Sequence, residues 1–474
     1  MKRILPYLLL IIVVVFFLPP TAEGQNKQPL PQQQVVQSLS LKQAQDYAIA
    51  NNATNKNASL DLKIAKQKIK ETTAIGLPQI NAQGNYTHTF KIPEMSFGGI
   101  PYLKTSISDP NQLITAGDLR DPQKVSIDYI PMPPVKLGVK DNITADFTVS
   151  QLIFSGEYIV GLQSSKTFYK MSEQMKEKNE QDIKESVANT YNLILLLQQN
   201  LQVLHQTHAN IEKTWNDMKA MYKQGFIENT DVDQMEITSL NITNTIHSLE
   251  RQTDAAYDLL KFQIGMPAEQ RLVLTDKFQE DMDTLPIGQL ISAPFNVENN
   301  IGYRMLGTQE ELGKLNLKRE QSTFLPSLMG IYRHSEKIKK QQLDFAPKDL
   351  AMLTLTIPIF SSGQRIAKVH QRQLELEKIT NTKNSTADAL RMEYITAQND
   401  LKTAYDNYLN EKRNIDLAKR IYEKTIVKYK NGLSSSLDIT NTQNQYLTAQ
   451  SNYYKSIYSL ITAKNKLYKI TSAL

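Results

Sequence analysis

The feature that most constrains this chain is a long internal repeat. Tyr222-Lys-Gln-Gly225-Phe-Ile-Glu-Asn-Thr-Asp231 returns 207 residues later as Tyr429-Lys-Asn-Gly432-Leu-Ser-Ser-Ser-Leu-Asp438. Ile153-Phe154-Ser155 returns as Ile359-Phe360-Ser361, within one residue of the same offset. Two large units therefore share one plan, as duplication would produce. Leu77-Pro78 and Leu325-Pro326 match at an offset of 248, so the first unit holds 42 extra residues between its Pro78 and Phe154.

Between the repeated landmarks lie two very long apolar stripes. Leu204, His208, Ile211, Trp215, Met218 and Tyr222 alternate by four and three, and the stripe continues upstream through Leu197, Ile194, Tyr191 and Val187 with one slip. The second stripe is Leu390, Tyr394, Ala397, Leu401, Ala404, Tyr408, Glu411, Ile415, Ala418, Tyr422, Thr425 and Tyr429, in phase with the first. This is coiled-coil spacing. Neither Gly nor Pro interrupts residues 164–223 or 365–430, so each unit has room for a rod of about 60 residues, roughly 95 Å long. Glycine stops each rod, at Gly225 and Gly432, where the left-handed conformation is available. Thr230-Asp231-x-x-Gln234 and Asp438-x-x-Asn441 then place a capping acid before a returning helix. Each unit thus contributes one antiparallel helical hairpin with a tight tip.

Strands occupy the other end of each rod. Ile80, Ala82, Gly84, Tyr86, His88, Phe90 and Ile92 alternate with Asn81, Gln83, Asn85, Thr87, Thr89 and Lys91; Ile143, Ala145, Phe147 and Val149 alternate with Thr144, Asp146, Thr148 and Ser150. Leu353, Leu355, Ile357 and Ile359 do so in the second unit, with Leu328 to Arg333 as its less regular partner. Strands of about ten residues cross a bilayer when tilted; a half-buried sheet in a soluble protein shows the same alternation. Four strands cannot close on themselves, and an open edge is not tolerated in lipid. Two copies would give eight strands and a filled barrel, three would give twelve and a lumen. The segment between the first two strands, Pro93 to Lys140, carries seven Pro and four Gly and reads as a loop, much longer than its counterpart Ser335 to Lys348.

The remaining composition fits export. Met1 to Gly24 reads as a secretory signal, with Lys2 and Arg3 before an apolar run from Tyr7 to Leu18 and Ala22-Glu-Gly24 as cleavage site. Gln25 to Ser38, rich in Gln, reads as a flexible leader. The formal net charge of +6 is spread without a basic block, so nucleic acid is not implied. With no cysteine, disulfides, thiolate metal sites and a lipidated N-terminal cysteine are excluded. No phosphate-cradling loop, zinc motif or nucleophile elbow is present, so neither a cofactor nor a catalytic residue is expected. His205 and His208 have helical metal-ligand spacing, but His208 sits on the seam, where packing is the simpler role. Tyr86 and His88 suit the water interface of a membrane-facing strand.

The expected organisation is a signal over 1–24, a leader over 25–38, a first repeat over 39–265, a linker over 266–294 and a second repeat over 295–474. The first repeat has a helix 39–76, strands 79–92 and 142–153, an extracellular loop 93–141 and a helical hairpin 157–264. The second has a helix 295–323, strands 327–334 and 350–360 and a helical hairpin 364–472.

This ordered set resembles TolC-type outer membrane efflux proteins over nearly all of the chain that follows the signal. The likeness is carried by Ser40-Leu41-x-x-Ala44, the Leu-Pro strand entries, Phe154-Ser155-Gly156 and the two Gly-x-x-x-x-x-Asp tips. It implies a mainly α fold with a small β part. Three copies would form a twelve-stranded barrel in the outer membrane, continuous with a periplasmic α-helical barrel. It also implies partners: a periplasmic adaptor and an inner-membrane transporter of RND, ABC or MFS type. At the periplasmic entrance the resemblance assigns Asp231 and Tyr429 to contacts that hold the channel shut. The arginine usual after the second-tip glycine is replaced by Ser434, and of the acidic pair that can ring the entrance only Asp438 is present, beside Asn441. The adaptor-contact element is kept in part as Gly225-Phe226 and Gly432-Leu433. Helix capping and packing are the plainer roles for the two aspartates and for Tyr222 and Tyr429.

The function implied is a passive exit duct for substrates delivered by a transporter. A periplasmic coiled-coil adaptor or scaffold is the alternative, though the lipoyl-like domain it needs is missing. An enzyme would require bound metal at His205.

Overall fold

The computed structural model describes residues 36–471, apart from scattered positions between 97 and 124, residues 279–281, 284 and 293, and residues 339–345. The expected signal, 1–24, and most of the leader lie outside the described residues. The chain begins with β1 (Gln37–Leu39), α1 (Leu41–Asn51), α2 (Ala53–Ile75) and β2 (Gln79–His88). Short strands β3 (Glu94–Met95), β4 (Ile100–Thr105), β5 (Val125–Ile130) and β6 (Val135–Lys136) lead to β7 (Asp141–Phe154). The long helices α3 (Gly156–Lys223) and α4 (Asn229–Ile264) form the first hairpin. After β8 (Leu272–Leu274) and α5 (Ile287–Ser292), the second repeat runs α6 (Ile301–Ser322), β9 (Ser327–Lys337), β10 (Asp349–Thr356), α7 (Gln364–Lys430) and α8 (Ser436–Ile470).

The rods form as the stripes require. Leu204, Ile211 and Met218 of α3 are buried against Val232, Met235, Ile242 and Ile246 of α4, with Tyr422, Ile439 and Tyr446 of the second hairpin in the same cluster. Tyr394, Ala397, Leu401, Ala404 and Tyr408 of α7 pack on Tyr453, Ile457, Leu460 and Ile461 of α8. Burying each such side chain contributes about 1.5–3 kcal/mol, summed over many turns, so tertiary packing and not intrinsic propensity holds the rods. Midway along α3, Tyr191 is fully buried and donates to Leu39 O at 3.0 Å, clasping the β1–β8 pair onto the helix. Burial pushes the Tyr191 hydroxyl up to about 12.

Several expected boundaries shift for local reasons. The last residues of the expected leader belong to β1, because Gln37–Leu39 pairs in parallel with Leu272–Leu274; β8 and α5 lie within the expected linker. The helix expected over 39–76 breaks at Asn52, whose side chain accepts from Thr54 N at 2.8 Å while donating to Gln263 O at 2.7 Å. The helix expected from 295 starts at Ile301, after a short turn. The first strand stops at His88 and the last at Thr356, the latter two residues before Pro358, which has no N–H to donate to a ladder. The segment expected as loop contains two antiparallel ladders, β3–β6 and β4–β5.

The main sheet is β2–β7–β9–β10, antiparallel throughout. It is four strands wide, with β2 and β10 as free edges; the closed barrel expected from several copies is not formed by one chain. Rows such as Ile80, Val149, Tyr332 and Ala351 share one face. That face is left bare: Ile80 is 75% exposed and Leu353 72%. Among the described residues no helix is long and apolar enough to cross a membrane.

The lateral order of the sheet recurs in the upper helices. Above the middle of the rods the helices lie as α2–α3–α6–α7; toward the tips α3 pairs with α4 and α7 with α8, and α8 packs against both α3 and α4. In the sheet and the upper helices the first repeat supplies one outer edge (β2, α2), and the second supplies the other (β10, α7).

Candidate functional site at the helical tips

Both rods end in the same backbone device. Gly225 takes φ +76° and Gly432 φ +72°. Phe226 N donates to Met221 O at 3.0 Å, and Leu433 N to Lys428 O at 2.9 Å. These 6→1 bonds satisfy carbonyls that the helix end would leave open. The turn then throws the next side chain outward, so that Phe226 is 72% exposed and Leu433 76%. Two bare apolar knobs thus stand at the ends of the rods.

The returning helices begin earlier than the sequence pattern suggests. α4 is capped from Glu228 and α8 from Ser435, so Asp231 and Asp438 sit three residues inside and reach back to the cap nitrogens. This corrects the expected caps at Asp231, with Gln234, and at Asp438. Asp231 Oδ2 accepts from Glu228 N at 3.3 Å. Asp438 Oδ2 accepts from Ser435 N at 2.9 Å, Ser435 Oγ at 2.8 Å and Ser434 Oγ at 3.0 Å. The Ser435 amide, then the two hydroxyls, hold the Asp438 carboxyl below its ordinary range. Ser434, in place of the expected arginine, therefore serves the turn of its own tip. Asn441 is exposed on α8, one turn beyond Asp438.

The two tips are joined through Asp231. Its second oxygen accepts a short hydrogen bond from Ser436 Oγ, across the boundary between the repeats. Tyr429 lies close by. Burial, then the Asp231 charge, raises its hydroxyl above the ordinary tyrosine range. That hydroxyl is buried without a hydrogen-bond partner among the described residues, while its ring packs in the tip cluster. Tyr222, which ends the first stripe, is exposed and does not pack in that cluster. Ser436 was not legible as a site residue, because one serine in a run of three carries no periodic signal.

Above the tips the repeats meet through polar layers. Asn465 Nδ2 donates to Asn189 Oδ1 at 2.8 Å, and Gln450 Nε2 to Asn200 Oδ1 at 2.9 Å, each across α8 and α3. Gln443 is fully buried with neither end of its amide paired among the described residues. Between the hairpins these amide bonds, worth about 1 kcal/mol net each, add to the apolar cluster the two share toward the tips. Beside this seam runs an open groove of about 640 Å³, lined by Gln206, Asn210, Lys213, Lys419, Tyr422 and Tyr446 among others. His208 Nε2 lies 3.1 Å from Thr243 Oγ1 and 3.3 Å from Ser239 Oγ, so it joins the hydroxyls of α4. His205 is exposed, 3.9 Å from Glu250.

Two stretches of this chain, residues 138–265 and 316–473, match the family model of the outer membrane efflux protein. They cover well over half of the sequence. The chain belongs to the outer membrane efflux protein family. Its match begins at the third residue before β7 and resumes within α6, so it spans both hairpins and passes over the inserted loop and the linker. Like its relatives, this outer membrane efflux protein is a transport protein of the outer membrane. Three crystal structures resemble it in fold. CusC superposes with a TM-score of 0.71 at 14% identity, covering 94% of this chain and 95% of CusC. The CmeC outer membrane channel of Campylobacter jejuni gives 0.69 at 16% identity, over 91% and 85%. The outer membrane protein VceC of Vibrio cholerae gives 0.67 at 14%, over 91% and 95%. No curated protein sequence matches the chain significantly.

Proposed function

We infer that this protein is the outer membrane exit duct of a three-part efflux or secretion system, assembled from three copies. The observation that carries this reading is the common lateral order of the sheet and the upper helices, which leaves two open sides. Sheet and upper helices stop at the same two sides, one from each repeat. Each side exposes what a neighbour would cover. The sheet has unpaired backbone on β2 and β10. The rods have bare apolar side chains on α4 (Ile237, Leu240, Leu259) and α7 (Met392, Leu409, Ile421). Edge-to-edge closure satisfies all of them at once, and three copies give twelve strands with a water-filled bore. The bare apolar face, with Ile80, Phe147, Leu353 and Leu355, then meets lipid.

The duct performs no chemistry. A periplasmic adaptor docks at the tips, where Phe226 and Leu433 stand exposed, and a transporter in the inner membrane supplies the energy. Asp231 holds the two hairpins of a chain together at the entrance, with the Tyr429 ring packed beside it. Asp438 from each copy contributes one carboxylate ring around the opening, and Asn441 supplies amides where a second acidic ring would stand. Opening separates the second hairpin from the first along the amide layers between α3 and α8.

Purified protein reconstituted into planar bilayers tests the reading. Discrete ion-conducting steps support it, and a bilayer that stays silent at protein densities confirmed by immunodetection refutes it.

A further inference from the structure

The free edges of the sheet carry matching side-chain groups. Near the end of β2, Tyr86 Oη donates to Asp141 Oδ1 at 3.0 Å, and His88 Nδ1 lies 2.7 Å from the same oxygen. On β9, Tyr332 Oη donates to Asp349 Oδ1 at 2.7 Å, and His334 Nδ1 also lies 2.7 Å from it. Each group is Tyr-x-His on one strand with an aspartate directly opposite the histidine on the next. Both stand at the strand ends remote from the long helices. The duplication has a consequence for the edges. In the first group the histidine is on the edge strand, β2; in the second the aspartate is, on β10.

Backbone geometry limits how two such edges can meet. Thr89 N donates to Lys140 O at 2.7 Å, so odd-numbered residues of β2 bond inward to β7 and even-numbered ones, up to His88, turn their N–H and C=O outward. Ser335 N donates to Lys348 O at 2.7 Å, so even-numbered residues of β10 bond inward and Asp349, Ala351, Leu353 and Leu355 turn outward. Even positions of β2 must therefore face odd positions of β10. The same parity brings the apolar faces of the two strands together. Registers that keep this parity place Asp349 opposite Tyr86, His88 or Phe90.

We propose that β2 of one copy pairs antiparallel with β10 of the next with His88 directly opposite Asp349. The inference rests on closure of the sheet by several copies and adds its register. All eight residues of β10 then find partners inside β2, with Thr356 opposite Asn81. The Asp349 side chain, 58% exposed in the single chain, is held between His334 of its own chain and His88 of its neighbour. The His–Asp pairing seen twice within the chain is repeated a third time across the seam. With Asp349 opposite Tyr86, His88 would overhang the end of β10; with Asp349 opposite Phe90, it would face a residue beyond the end of β2. The outer rim thus carries a continuous row of Asp141, His88, Asp349 and His334, shared between copies.

The chain has no cysteine, so disulfide mapping needs no prior replacement. Asn85 and Met352 fall opposite each other in this register at a non-hydrogen-bonded position, where Cα atoms approach to about 4.5 Å, within disulfide reach. Full-length protein carrying Asn85→Cys and Met352→Cys, oxidised in membranes, is expected to convert mostly to covalent dimers and trimers on denaturing gels. Asn85→Cys with Leu350→Cys, or with Thr354→Cys, is expected to convert far less. Gln83→Cys with Thr354→Cys reports the same register should the first pair fold poorly. Preferential linkage of either offset pair overturns the register and leaves closure intact. Protein that is monomeric in detergent and links in no pair overturns the closure beneath it.

Discussion

The Ser436 hydroxyl donates to the Asp231 carboxylate, tying the first turn of α8 to the first turn of α4 across 205 residues of sequence. A hydrogen bond to a charged group contributes about 1.5–3 kcal/mol, and each 1.4 kcal/mol is roughly tenfold in an equilibrium. Ser436→Ala and Asp231→Ala are each expected to raise the open fraction of the channel about tenfold or more. In planar bilayers this appears as larger or longer conducting steps. The double substitution is expected to add little to either single one, because both remove the same bond. Additive effects, or unchanged conductance, would confine Asp231 to its own turn.

Tyr429 separates packing from latching. Its hydroxyl is buried without a partner among the described residues, so Tyr429→Phe removes a desolvated group at no cost in contacts. Conductance is expected to stay unchanged and stability to stay level or rise by up to about 1 kcal/mol. Tyr429→Ala removes the ring from the tip cluster and is expected to loosen the entrance. A leaky Tyr429→Phe channel would show that the hydroxyl itself is the latch.

Asp438 gives the second tip a pH dependence. Its folded pKa lies below the ordinary 3.8, through the Ser435 amide and the hydroxyls of Ser435 and Ser434. The resulting stabilisation is fully present above the unfolded value and is lost as pH falls through the depressed one. Asp438→Asn is therefore expected to increase amide exchange in residues 434–440 at neutral pH, and to differ little from the parent near pH 2. A difference that persists unchanged into acid would contradict the charge-based account.

Gln443 is the residue whose removal should strengthen the chain. It is fully buried on α8, seven residues before Gln450, with both ends of its amide unpaired among the described residues, and an unsatisfied buried polar group costs about 1–3 kcal/mol. Gln443→Leu is expected to raise the melting temperature while slowing opening, since it replaces a polar seam with an apolar one. A lowered melting temperature would mean that the amide finds partners in the assembled protein.

Much of the architecture was legible because it is periodic. The stripes through Leu204 and Leu401 marked the rods, and the alternation from Ile80 to His88 marked a strand. Glycines 225 and 432 marked the tips. What escaped has no period. The break at Asn52 depends on Gln263, 211 residues away, and β1 exists only because β8 lies beside it. The cap at Glu228 was hidden because acids at 228 and 231 offer competing helix starts. Ser436 and the Tyr-x-His groups became visible only when the fold brought their aspartates to them. The second of these groups was further disguised because Arg333 and His334 interrupt the alternation of β9.

Closure of one open, edge-bearing layer by identical copies underlies the duct, its bore and the shared rim. Native mass spectrometry of full-length protein extracted in mild detergent measures this directly. The expected result is a single species of three chains that survives dilution. A species of one chain, in detergent that preserves its folded sheet content by circular dichroism, would contradict the duct, its bore and the shared rim together.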